Sequence, residues 1–379
     1  MAKRFISIYL ILMLLLTLLV GCSTGGAKDE EGIAVEDIKT EENTLEEAEE
    51  NRGEEIEVVD MAGRVVRLPK KADKAFATKP TGTILLYTLN PEKMVGWNYE
   101  LREGEKRFIS EKYHNLPNLG GAGKNAVNIE ELLKFNPDVL IIMEEVVETS
   151  LSIAEELEEQ TGIPTIILDS DLLKLDEAYE LLGKVMGEEE RAKELAEYCR
   201  KTISQAQTLA ASIAEEEKIG VYYAEGPDGL ETEPSTSWHA VVIDLVGGRN
   251  VAEVELKADQ GKSLVSIEQL LKWNPDIIIS WDDERGGYYS GIFEDPTWQG
   301  IKAVEEKEVY EIPNRPFNWF DRPPSANRIL GIKWLGNLLY PEVFNYDIRE
   351  EVREFYSSFY HYELNDEELD DLLKNSIRR

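Results

Sequence analysis

Apolar and polar positions along the chain fall into two kinds of block: short unbroken apolar runs, and longer stretches with a helical period. The runs predict buried strands of parallel sheet at 74–78, 94–97, 139–143 and 165–168, and again at 219–224, 277–280 and 309–312. Between the two groups lies a stretch free of Gly and Pro, 188–217, rich in Ala, Glu, Leu and Lys, which predicts one long helix. Further helices are expected at 327–339, 348–360 and 366–374.

An internal repeat sharpens this outline. Val127-Asn-Ile-Glu-Glu-Leu-Leu-Lys-Phe-Asn-Pro-Asp-Val-Leu-Ile-Ile-Met143 recurs without a gap as Val265-Ser-Ile-Glu-Gln-Leu-Leu-Lys-Trp-Asn-Pro-Asp-Ile-Ile-Ile-Ser-Trp281, with ten of 17 positions identical. Each copy reads as a helix capped by Asn128 or Ser266, stopped at Asn136-Pro137 or Asn274-Pro275, and followed by a buried strand. Shared helix–strand grammar would repeat the hydrophobic pattern, but not Lys-aromatic-Asn-Pro-Asp in register. The expected fold is therefore α/β: two lobes with central parallel sheets, joined by one long rigid helix, with a ligand cleft between them. The lobes are expected at 56–187 and 218–379, with the connecting helix at 188–217.

The first residues concern the compartment. Lys3 and Arg4 precede an apolar run from Ile6 to Val20, which has signal-peptide length and is short for a membrane span. The run ends Leu19-Val20-Gly21-Cys22, which resembles the lipobox of bacterial lipoproteins. That resemblance implies a signal peptide at 1–21, a lipid on Cys22 and an extracytoplasmic protein anchored to the membrane; an ordinary secretory signal is the alternative. Residues 22–55 are dominated by Glu and Asp and hold few large apolar side chains, so an acidic disordered tether is expected. The second cysteine, Cys199, sits in a helical pattern and is expected as a buried thiol. A net charge of −34 over 379 residues argues against nucleic acid, because phosphates need cations.

In open parallel sheets, ligands bind beyond the carboxyl ends of the strands. The residues there include Lys79, Tyr99, Glu144, Glu225, Trp281 and Asp282. After the last strand comes Asn314-Arg315-Pro-Phe317-Asn-Trp319-Phe-Asp-Arg322-Pro-Pro324. Aromatics there offer flat faces, and Arg315 and Arg322 offer forked donors for anionic oxygens, as a planar, partly anionic ligand would need. A ligand against Phe317 and Trp319 is expected, with Lys79 and Tyr99 approaching from the first lobe and Trp281 closing one side. Glu144 and Asp282 pull the other way, toward a cationic or neutral ligand. No nucleophile elbow, His-Glu-x-x-His or phosphate loop is present. Three histidines, His114, His239 and His361, stand in unlike contexts, and His239 is expected on a helix surface or loop.

Asp60-Met-Ala-Gly-Arg64, the paired Ile-Glu-x-Leu-Leu-Lys-x-Asn-Pro-Asp repeat and Asn318-Trp-Phe-Asp-Arg-Pro-Pro-Ser325 together resemble the substrate-binding proteins of iron-siderophore, cobalamin and other metal-chelate ABC importers. The resemblance covers the chain from about Ile56 onward. It implies a non-enzymatic monomer that captures a chelate between two lobes with little closure, needs no cofactor or metal ligands of its own, and delivers to a permease dimer. A ferric siderophore is the first expectation; a corrinoid or a nickel chelate are alternatives within the class. It also implies that Glu130 and Glu268 dock on the permease; on their own terms both are glutamates that favour a helix N-terminus. The sequence departs from the family at Gly120-Gly121-Ala122-Gly123-Lys124, which lacks an aromatic after the paired glycines and leaves Trp97 or Tyr99 in that part. Two other classes stay open: a secreted metallo-enzyme on a two-lobed scaffold, and a sensor or adhesive lipoprotein.

Overall fold

The computed structural model describes residues 54–257 and 261–378, so Cys22, the apolar run before it and nearly all of the acidic segment lie outside the described residues. Eleven strands are described: β1 (Glu55–Val59), β2 (Val65–Pro69), β3 (Ala75–Ala77), β4 (Val139–Glu144), β5 (Thr165–Asp169), β6 (Gly220–Ala224), β7 (Glu231–Thr232), β8 (Arg249–Asn250), β9 (Ser263–Leu264), β10 (Ile277–Ser280) and β11 (Val309–Glu311). The longer helices are α1 (Pro80–Leu89), α2 (Ile129–Phe135), α3 (Glu148–Thr161), α4 (Leu175–Met186), α5 (Glu189–Ala210), α6 (Ile267–Trp273), α7 (Asn327–Leu339), α8 (Ile348–Tyr360) and α9 (Asp366–Leu373).

Two parallel sheets organise the chain, one in the order β3-β4-β5 and one in the order β11-β10-β6-β8. Their middle strands read Val-Leu-Ile-Ile-Met and Ile-Ile-Ile-Ser without alternation because helices cover both faces. The repeat lays down one helix–strand unit in each sheet. Asn128 Oδ1 accepts from Glu131 N at 3.1 Å and Ser266 Oγ from Gln269 N at 3.2 Å. Asn136 and Asn274 then end the helices in the left-handed region, at φ 47° and 46°, a conformation asparagine tolerates better than most residues.

The aspartates that follow explain why the repeated motif runs on past proline. Asp138 accepts from Asp73 N and Lys74 N at 2.8 and 2.9 Å, and Asp276 accepts from Gly220 N at 2.6 Å. Each ties the repeated strand to its neighbour in the sheet. Asp60 does similar work for the β1–β2 hairpin, accepting from Ala62 N and Arg64 N across the turn and from Ile167 N of β5. A short polar side chain with several amide donors in reach is a strong local constraint.

Two expectations shift. Residues 94–97 form no strand; only single bridges link Met94 to Ala75 and Trp97 to Asn118, and Trp97 is buried with its indole donating to Tyr113 O. The expected long helix stops at Ala210 instead of 217. There Ser212 Oγ donates to the Leu209 carbonyl at 2.6 Å, an alternative to the helical ladder, and Glu215–Glu217 would set three negative charges at the helix's negative end. Cys199 is fully buried within α5, as expected, and burial pushes its thiol pKa up.

Candidate functional site

The carboxyl end of β6 delivers Glu225, and the loop beyond β7 delivers Glu233; both side chains are fully buried. Arg322 enters between them from the proline-rich segment that follows β11. Its Nε lies 3.0 Å from Glu225 Oε1 and 3.1 Å from Asp321 Oδ2, and its Nη2 lies 2.8 Å from Glu233 Oε1. Three carboxylates thus share one guanidinium. The second oxygens of Glu225 and Glu233 are buried and have no hydrogen-bond partner. Burial raises the Glu225 pKa to about 8; Arg322 opposes the shift, while Asp321 and Glu233 add to it.

Asp321 passes the network on. Its Oδ1 lies 2.5 Å from His239 Nδ1, and its Oδ2 accepts from Tyr223 Oη at 3.4 Å. Trp281 Nε1 donates to that same hydroxyl at 2.6 Å. The Trp281 ring is half-buried, with Lys262 Nζ at 4.3 Å from its centroid and the Arg322 guanidinium at 5.8 Å. Trp238, 49% exposed, stacks on His239 at 3.9 Å between centroids.

Arg328 spans the lobes. Fully buried, it donates from Nη1 to Trp238 O and from Nη2 to Ser170 O, just past β5 in the first lobe, at 3.2 Å each. Burial pulls its pKa down to about 10. Ser325 Oγ donates to Thr81 O of α1 at 2.7 Å, a second crossing nearby. Closer to the rim, the charge of Arg285 acts on Tyr99 and Glu105 of the first lobe, while its Nη1 donates to Asn314 Oδ1 and Arg322 O.

The expected contact residues divide. Tyr99 is half-buried with its hydroxyl on Glu105, and Lys79 pairs with Glu144 at 3.0 Å, the two side chains partly exposed. Trp281 stands in the network above. Asp282 is buried, its Oδ1 capping Arg285 N. Phe317 and Trp319, expected as stacking faces, are instead core residues packed edge-on against Tyr360 and Tyr356. The backbone of Trp319 also lies against α7, where a Cβ on Gly331 would fall 1.9 Å from its carbonyl oxygen. Arg315 and Arg322 are not free for anionic oxygens: Arg315 bridges Glu284 and Asp371 at 2.9 and 3.0 Å, and Arg322 serves its own carboxylates. His239, expected on a helix surface or loop, does lie in a turn, but its ring is buried on Asp321.

Sequence reasoning passed over Trp238 and Arg328; Asp321 lay inside the 314–324 segment it singled out, and Glu233 in the loop after the 219–224 strand, neither with a role of its own. Ser-Trp-His, an aromatic beside a histidine in a loop, was the one available signal. The paired glycines before Lys124 prove structural: Gly121 has φ +101°, and a Cβ there would meet the Thr78 carbonyl at 2.0 Å.

A two-lobed α/β molecule with its polar residues gathered past the strand ends has the architecture of a ligand-binding protein. The periplasmic binding protein family matches residues 102–316, more than half of the chain, and the chain belongs to that family. An ABC transporter solute-binding protein from Sulfurospirillum deleyianum has a similar structure, with 32% identity and a TM-score of 0.77, covering 84% of this chain and 99% of that one. Among curated relatives, the molybdate-binding protein MolA of Haemophilus influenzae is 26% identical over 327 residues, 80% of this chain and 90% of the relative. YvrC of Bacillus subtilis, described as an uncharacterized ABC transporter substrate-binding lipoprotein, is 23% identical over 306 residues, 76% of this chain and 87% of the relative. The protein is the substrate-binding component of an ABC importer. Its relatives are transport proteins, not enzymes.

Proposed function

We propose that this protein captures a metal chelate that is neutral or cationic, and presents hydrogen-bond donors to the second lobe. The observation that carries this reading is the pair Glu225 and Glu233, each with one oxygen held by Arg322 and the other buried without a partner. The raised pKa keeps Glu225 largely protonated at neutral pH, yet Glu233 and Asp321 still outnumber the one guanidinium, so the pole keeps an excess of negative charge. An anion placed there meets repulsion, whereas an ammonium, amide or hydroxyl on the outside of a chelate finds an acceptor on Glu233 and a hydrogen-bonding carboxyl on Glu225. Trp238 and Trp281 supply partly exposed aromatic surface beside it, as an organic ligand shell requires. A metal wrapped in a chelator fits this inventory as substrate.

A second reading has its own support. Arg328 Nε is buried without a partner, and the relative MolA is a molybdate-binding protein, which together favour a small oxyanion near Arg328. Tryptophan fluorescence titration separates the two, using a ferric trihydroxamate with a free ammonium, ferric citrate, and molybdate. The hydroxamate should bind tightest, and Glu225→Gln with Glu233→Gln should weaken it about tenfold or more. Tight molybdate binding with no response to the hydroxamate would replace the first reading with the second.

We also propose that Cys22 carries the lipid anchor, a reading supported by its lipobox-like setting and by the lipoprotein relative YvrC. Cys22→Ser should move the protein from the membrane fraction to the medium or periplasm. Undiminished membrane retention without lipid labelling defeats that assignment. In the same reading, Glu130 and Glu268 deliver rather than capture. Both are exposed on the first turns of the two repeat helices.

A further inference from the structure

Helices α2 and α6 bury the first leucine of each repeat and expose the second. Leu132 and Leu270 are fully buried, whereas Leu133 is 43% and Leu271 is 38% exposed. A single exposed leucine calls for no explanation. Here, however, the two copies of a duplicated unit expose leucine at the same register, 138 positions apart by subtraction of 133 from 271. Each leucine stands three residues after an exposed glutamate, Glu130 or Glu268, and so shares its helix face. The neighbouring leucines fill the core beneath them, and although Leu271 also lies beside Gly300, more than a third of each residue stays open to solvent, where a polar residue would serve better.

We infer that Leu133 and Leu271 are paired apolar anchors for the permease, one on each lobe, each set beside its docking glutamate. The inference rests on the docking reading of Glu130 and Glu268 given above. The occupant is the two-subunit permease, because equivalent patches on two duplicated units match two equivalent subunits. In this arrangement the carboxylate orients the encounter and the leucine slows separation. Charge at a rim sets association more than lifetime, while a buried aliphatic group adds stability to the bound state.

The test is site-specific photo-crosslinking in the native host, with the full-length chain carrying benzoylphenylalanine at one position at a time: 133, 271, 130, 268, and 159 as a control. Permease adducts from 133 and 271, as well as from 130 and 268, are expected. Leu133→Ser combined with Leu271→Ser should slow uptake of the ferric trihydroxamate about tenfold while its fluorescence titration stays unchanged. Adducts from 130 and 268 without any from 133 and 271 overturn the leucine anchors and leave the docking glutamates standing. No permease adduct from any of the four positions overturns the docking reading itself.

Discussion

Arg322→Met is expected to cost about 3–5 kcal/mol of unfolding free energy at neutral pH, because it strands buried carboxylates that now share one cation. Glu225, Glu233 and Asp321 are all at least nearly inaccessible to water, so solvent cannot take over the role of the guanidinium. The loss should depend on pH, and its sign follows from Glu225. Its pKa in the folded protein is raised to about 8, so the fold holds a proton that the unfolded chain releases near pH 4–5. That contribution is complete below the unfolded value and disappears as pH rises through about 8. Without Arg322, ionisation of all three groups is more costly still. Urea unfolding at pH 5, 7 and 9 should therefore show the variant weakest, relative to the parent, at pH 9. A difference under about 1 kcal/mol at pH 9 would mean that the carboxylates do not depend on this cation.

Reversing the two glutamates proposed to dock on the permease, Glu130→Arg with Glu268→Arg, should abolish transport while leaving affinity for the ferric trihydroxamate within a factor of about three. Both side chains are exposed at helix starts and stand outside the buried network around Arg322. Hydrogen bonds from its own backbone amide and from Ser266 hold the Glu268 pKa below its ordinary value, so a negative charge is present there throughout the physiological range. In the proposed docking, an arginine in each place reverses the charge offered to the permease, which penalises docking twice over. Uptake of radiolabelled iron and fluorescence titration on the same preparations check this. Transport that survives, or binding that fails with it, would show that the two glutamates serve something other than delivery.

The repeat was legible almost to the residue because its signals are local. Caps at Asn128 and Ser266, left-handed stops at Asn136 and Asn274, and aspartates that reach the adjoining strand all act within one unit. The site was less legible because its outcome depends on distant partners. Arg322 was recognisable as important, but its carboxylates lie 89 and 97 positions away in sequence, and only folding brings them together. Phe317 and Trp319 have the composition of a stacking platform and the environment of a core. What separates the two is α8, whose Tyr356 and Tyr360 cover their rings. His239 has the loop address expected of it, and what the address does not tell is that Asp321 draws its ring inside.

The two carbonyls grasped by Arg328, one on each side of the cleft, bear on how an importer tells full carriers from empty ones. A guanidinium buried across that gap opposes separation of the lobes, and a molecule so tied would change its outline little when cargo binds. A transporter would then meet empty and loaded carriers that look alike from outside, and both would compete for the same berth. Selection would pass from shape to timing, with the flux of nutrient following the ratio of loaded to vacant carriers instead of the loaded number alone.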